Sequence, residues 1–157
     1  MAILKKQTFS SVATVLALVL AIAGLIAYAI NVGSTGYFEN AVVPNALTAS
    51  ALAAVALAAA VVLAQLKVNG VVCKLLDLVS GALRIAAPAG LMAGAMLLVA
   101  ARAQGLAYIY FSNEEVLAEV QTAANLSSAS CAIASVALLA VAALVGVFAA
   151  FGKLKKD

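Results

Sequence analysis

The sequence predicts an all-α membrane protein, a four-transmembrane-helix antiparallel bundle with both termini in the cytoplasm. Three observations lead there. Of 157 residues, 67% are hydrophobic and 10% charged, whereas a soluble domain is about half apolar and about a quarter charged. The apolar residues fall into four runs of membrane-spanning length, and lysine and arginine collect on alternate connections between them. Runs and short links consume the whole chain, so a single integral membrane domain over 1–157 is expected. A disordered chain, a disulfide scaffold and a separate soluble domain are excluded.

A bilayer core about 30 Å thick requires on the order of 20 apolar residues at about 1.5 Å each. The first run, 9–30, and the second, 44–66, contain no charge. The third, 75–101, carries Asp77 and Arg84 near its start and Pro88, Gly90 and Gly94 within it. The fourth is apolar from Ala123 to Phe151. Ser112 followed by Glu115 has capping-box spacing, which starts this helix earlier and gives a span of 115–151.

With the N-terminus inside, Lys5, Lys6, Lys67, Lys74, Arg84, Lys153, Lys155 and Lys156 all lie on the cytoplasmic side, leaving Arg102 as the outer cation. Short loops rich in Lys and Arg stay inside, so eight of nine cations support an N-in, C-in arrangement. Glu39, Glu114, Glu115 and Glu119 fall outside, against Asp77 and Asp157 inside. Tyr28, Tyr37, Phe38, Tyr108, Tyr110 and Phe111 map to the outer boundary and Phe9, Phe148 and Phe151 to the inner one, a two-belt pattern. Lys5 and Lys6 before an apolar run, with Ala27-Tyr28-Ala29 as a small-x-small site, also suit a cleaved signal peptide. The run is longer than a usual signal core, which favours a span.

The sequence contains no His and two Cys, Cys73 and Cys131, which the topology puts on opposite sides. Imidazole acid–base catalysis and Cys/His metal sites are thereby excluded. No cofactor, metal or nucleic acid is expected. Four spans also characterise the small multidrug antiporters, but those rely on a buried Glu in the first span; here that span is purely apolar, so the resemblance stops at helix count.

The remaining polar residues form four groups. Lys74, Asp77, Ser80 and Arg84 recur every three or four residues and make one stripe of the third span, ending at Pro88, which cannot donate to the Arg84 carbonyl. Two readings stand: an interfacial turn with Arg84 snorkelling to headgroups and Lys74 paired to Asp77, or the lining of a partner face or cavity at a helix break. Gly90 and Gly94 form GxxxG, and Ser127, Cys131 and Ser135 a small-residue series, both suited to close helix packing. Asn45 and Thr48 on the second span, with Asn125 and Ser128 on the fourth, are expected to face one another as an outer polar cluster. Tyr108, Tyr110 and Phe111 beside Glu114, Glu115 and Glu119 make an aromatic-acidic outer segment suited to a protein contact or an interfacial anchor.

The functional expectation is a non-enzymatic multi-pass scaffold or accessory subunit in the plasma membrane. Its partners are membrane lipid and either copies of itself or a larger membrane protein. The alternative is a small transporter or channel subunit using the third-span stripe and the Pro88 break.

Overall fold

The computed structural model describes residues 8–66 and 71–152, apart from the Cys73 side chain. Lys5, Lys6, Lys67, Lys153, Lys155, Lys156 and Asp157, which enter the charge reading above, lie outside the described residues. The described chain is a membrane protein's helical bundle: α1 (Phe9–Gly33), α2 (Pro44–Gln65), α3 (Val71–Phe111), α4 (Glu114–Val120) and α5 (Ala123–Ala150), with no strand among those residues. Four helices, all but α4, are long and apolar enough to cross a bilayer.

Local chemistry sets the helix starts. Thr8 caps α1 by accepting from the Ser11 amide (3.2 Å), and Thr122 caps α5 by accepting from that of Asn125 (3.2 Å). α2 lacks a side-chain cap but begins at Pro44, whose missing N–H leaves one fewer unpaired donor. The amide just before it, on Val43, donates to the Tyr28 hydroxyl on α1 (2.7 Å).

Two predicted boundaries need correction. The helix of the third span does not end at 101: α3 runs through 41 residues without interruption at Pro88, and its length of roughly 60 Å is about twice the hydrocarbon thickness. Arg102 looked like a terminator because a bare cation is costly in lipid. Its guanidinium is instead covered by the bundle, so the helix continues beneath it. The fourth span does not begin at 115. The Glu114–Val120 turn is a separate short helix, capped by Asn113, whose side chain accepts from the Val116 amide (3.0 Å). Ser112 is not that cap; it donates to the Tyr108 carbonyl (2.7 Å) and so closes α3.

The principal neighbours form a ring, α1 to α2 to α3 to α5 and back to α1. Residue numbers run in opposite senses across the α1–α5, α2–α3 and α3–α5 contacts. Ser10, Gly24 and Asn31 of α1 meet Ala149, Ser135 and Ser128. Ser80 and Gly94 of α3 meet Ala60 and Ser50 of α2. Pro88 and Arg84 of α3 meet Gly146 and Ala149 of α5.

The interior is built from small residues and the exterior from large ones. Ala supplies 14 of the 21 buried apolar side chains among the described residues, while Leu52 and Phe148 are each 70% exposed and Ile85 is 69% exposed. A water-soluble protein has the opposite distribution, because burying large aliphatic groups is its main stabilising force. Lipid solvates those groups, so helices associate through the faces that let backbones come close. Polar Ser10, Thr14, Ser50, Ser80, Ser128 and Ser135 are buried on the same faces.

Candidate functional site

Two polar junctions tie the helices together, one at each end of the bundle. Ser10 and Asn31 mark the two ends of α1, roughly 30 Å apart.

The first junction surrounds Arg84, which is 6% exposed. Its guanidinium donates to the Gly152 carbonyl (3.0 Å), to the Ala149 carbonyl and to Ser10 Oγ. Ser10 Oγ also lies 2.6 Å from the Ala149 carbonyl and 3.0 Å from that of Gly152. The last carbonyls of a helix have no intrahelical donors and carry the negative end of its dipole. Arg84 thus caps the C-terminal end of α5 from α3 while Ser10 joins α1 to the same point. All three Arg84 partners are neutral, and its Nε is buried with no partner.

This overturns the snorkelling expectation: Arg84 turns into the bundle because helix-end carbonyls offer better acceptors than a reach through lipid. The predicted stripe is split. Lys74 and Asp77 are exposed, whereas Ser80 is buried and donates to the Ala60 carbonyl of α2 (3.1 Å). Pro88 is buried against α5, where Gly146 leaves room for its ring: a Cβ there would stand 2.9 Å from Pro88 Cγ. The helix break expected at Pro88 is absent: α3 is continuous on both sides of the ring.

The second junction holds the α1–α2 connection, 34–43. Asn31, 1% exposed, donates to the Ser128 carbonyl (2.7 Å) and to Ser128 Oγ (3.2 Å), which also accepts from the Phe38 amide (3.3 Å). Arg102, 3% exposed, donates to the Ala41 carbonyl (2.6 Å) with its guanidinium carbon 4.6 Å from the centre of the Phe38 ring, a cation–π geometry. Phe38 is buried with Ile109, Ala129 and Ala132. Gly36 has φ +149°, which L side chains rarely adopt, and a Cβ there would stand 2.8 Å from the Ala124 carbonyl.

The expected outer polar cluster does not form. Asn45 and Thr48 are exposed, and Thr48 bonds back to the Pro44 carbonyl (3.0 Å) of its own helix. Asn125 bonds to the Val120 carbonyl (2.8 Å) and Ser128 to Asn31. The reason is the ring order: α5 packs against α1 and α3, so Ser128 meets α1 instead of α2. Tyr28 and Phe38, assigned above to an aromatic belt, are core residues; each has a polar neighbour inside the bundle, the Val43 amide and Arg102.

Gly90 and Gly94 lie against α2. A Cβ on Gly90 would stand 3.0 Å from that of Ala53, and one on Gly94 would fall on Ser50 Oγ. Along α5 the buried stripe is Ser128, Ala132, Ser135, Leu139, Ala142 and Gly146, so the predicted Ser127-Cys131-Ser135 face is displaced. Ser127 is exposed, Cys131 half-buried, and Ser135 alone is fully buried, donating to the Gly24 carbonyl (3.0 Å). A spacing of three to four residues fixes a stripe only to within one residue, and Asn31 selects Ser128.

The outer aromatic-acidic segment stays on the surface. Phe111 is 85% exposed, Tyr108 lies with its ring tilted against Tyr37 at 5.8 Å, and Tyr110 is half-buried 6.5 Å from Phe111. Glu114, Glu115 and Glu119 are exposed on α4, the first two beside its N-terminal dipole.

Sequence reasoning missed Ser10, Asn31, Ser50 and Arg102. For Arg102 the sequence shows an isolated cation within continuous helix-forming residues, but its partners Ala41 and Phe38 are brought near only by the fold. No group of three or more potential metal ligands occurs among the described residues. Comparison with protein-family models, curated proteins and solved structures finds no match.

Proposed function

We infer that this membrane protein is a non-enzymatic tetraspan scaffold or accessory subunit. It forms an antiparallel bundle with both ends in the cytoplasm of the plasma membrane. One observation carries the reading: the guanidinium of Arg84, the most conspicuous charge within the spans, is occupied by the ends of α1 and α5. A charge inside a span points by default to an ion or substrate path, and here it works as a tie. Arg102 is committed in the same way to Ala41 and Phe38. No Asp or Glu is buried among the described residues. What remains for an external partner is the exposed surface, above all Tyr108, Phe111 and the acidic turn of α4, with copies of the chain or a larger membrane protein as the partner.

Purification in a mild detergent, with identification of accompanying proteins and measurement of particle mass, tests the scaffold reading. A defined oligomer or a stoichiometric partner supports it, and a lone monomer refutes it. Orientation is read separately with an impermeant tag near Ser112 in intact cells. Labelling there, with none at the C-terminal tail, is expected.

A further inference from the structure

We propose that Arg102 holds the phosphodiester of a zwitterionic phospholipid whose ammonium group rests on Glu39 and the exposed rings of Tyr37 and Tyr108. The proposal rests on the membrane reading above but not on the scaffold role. Arg102 follows Arg84 by 18 residues of continuous helix, about 27 Å, close to the hydrocarbon thickness of about 30 Å. Arg84 marks the level where α1 begins and α5 ends, so Arg102 lies where headgroup phosphates begin at the opposite face. Its Nη2 donates to the Ala41 carbonyl and its Nε is buried with no partner, whereas Nη1 makes no hydrogen bond and is not sealed in as Nε is. No carboxylate among the described residues pairs with this charge. The one acid outside them, Asp157, is five residues beyond Gly152 and so within at most about 18 Å of it. Gly152 sits on Arg84, which puts Arg102 out of that acid's reach.

A phosphodiester at this depth supplies the acceptor that Nη1 lacks, in a charge-assisted hydrogen bond. The surroundings select the other end of the headgroup. Phe38, beneath the guanidinium, is followed in the chain by Glu39 and lies edge-on to Tyr37 (5.2 Å), against which Tyr108 is tilted (5.8 Å). Glu39, Tyr37 and Tyr108 are all exposed. The connections 34–43 and 103–122, described throughout, carry Glu39, Glu114, Glu115 and Glu119, all exposed, and no lysine or arginine. A net negative headgroup is repelled there, and a cationic group is attracted by the carboxylates and by the ring faces. Phosphoethanolamine brings both charges in one molecule. Val99, one turn from Arg102 toward the bilayer centre, is exposed to its acyl chains.

The chain contains no Trp, so Val42→Trp, at an exposed position next to Ala41, places a single reporter beside the site. In vesicles its emission is quenched by lipids with brominated acyl chains: phosphatidylethanolamine, phosphatidylglycerol, or a galactosyl diacylglycerol that lacks phosphate. Strongest quenching by phosphatidylethanolamine is expected. Glu39→Gln should lower its advantage over phosphatidylglycerol about two- to fivefold, as for an exposed ion pair. Arg102→Gln should lower its advantage over the galactolipid about tenfold, as for a hydrogen bond to a charged group; should that variant fail to fold, Glu39→Gln decides. A Leu52→Trp reporter, on the exposed face of α2 at mid-span, should show no preference. The same preference at Leu52, or an unchanged one in either folded variant, overturns the proposal. Relief of quenching by millimolar inorganic phosphate also overturns it, since the site would then read a free anion. Quenching by no lipid at either position refutes the membrane reading, while equal quenching by all three refutes the headgroup site alone.

Discussion

Replacing Gly94 by Ala adds one methyl group where α3 and α2 touch. The new Cβ falls on Ser50 Oγ and lies 3.3 Å from Ser50 Cβ and 3.2 Å from the Ala46 carbonyl. Rotating Ser50 clears its hydroxyl at about 0.5–1.5 kcal/mol if it must leave a staggered well. The Cβ and carbonyl cannot rotate away, so the helices must separate by a few tenths of an ångström along a face lined by Ala46, Ser50 and Ala53. Overpacking of this kind costs about 1–3 kcal/mol, and about 2 kcal/mol is expected for Gly94→Ala. Ser50 Oγ is buried with no hydrogen-bond partner, so Ser50→Ala alone should be neutral or stabilising by up to about 1 kcal/mol. The double substitution removes the worst contact, and a favourable coupling of about 1 kcal/mol should appear in a double-mutant cycle. Equilibrium unfolding of the purified chain by sodium dodecyl sulfate in mixed micelles measures all four corners. Wild-type stability for Gly94→Ala, or additivity within about 0.5 kcal/mol, would refute the claim that backbone approach at Gly94 holds α2 to α3.

Arg84→Lys keeps the charge but loses the planar geometry that reaches Ala149, Gly152 and Ser10 together, and should lower stability by about 2 kcal/mol in the same unfolding assay. An Asn31→Ala, Ser128→Ala cycle is expected to give a coupling of about 0.6 kcal/mol, typical of hydrogen bonds between spans; zero coupling would mean that the Ser128 Oγ contact contributes nothing, since the bond to the Ser128 carbonyl survives that substitution. Gly36→Ala should cost at least about 2 kcal/mol because its φ is +149° and Ala124 and Ser128 crowd it. Gly81→Ala, with nothing within 4 Å of the new Cβ, should stabilise α3 by about 0.5–1 kcal/mol; thermal unfolding in detergent separates the two.

Long-range solvent effects made the four spans legible in the sequence, since a stretch of 20 apolar residues has few other uses. The starts of the first two were equally plain: Phe9 follows a capping Thr and Pro44 suits a first helical turn. Where boundaries depended on charge, local reasoning failed. Arg102 lies in a continuous helix because Ala41 and Phe38, some 60 residues away, cover it, and nothing near Arg102 in sequence carries that information. Helix pairing was similarly hidden. Small residues occur on every face of these Ala-rich helices, so spacing alone could not choose Ser128 over Ser127, or α1 over α2 as its neighbour. The Arg84 junction was half legible: the costly charge was conspicuous, but its acceptors belong to a helix end that only the bundle brings near.

The Arg84 contacts also impose a timetable on biosynthesis. Its acceptors Ala149 and Gly152 emerge from the ribosome 65 and 68 residues later, a delay of roughly 3–14 s at ordinary translation rates. Throughout that interval the nascent chain has Ser10 to offer this cation, but neither carbonyl. Release of α3 from the insertion machinery into lipid before the last span arrives would strand the guanidinium, so correct assembly favours handing the second half of the chain over as a unit.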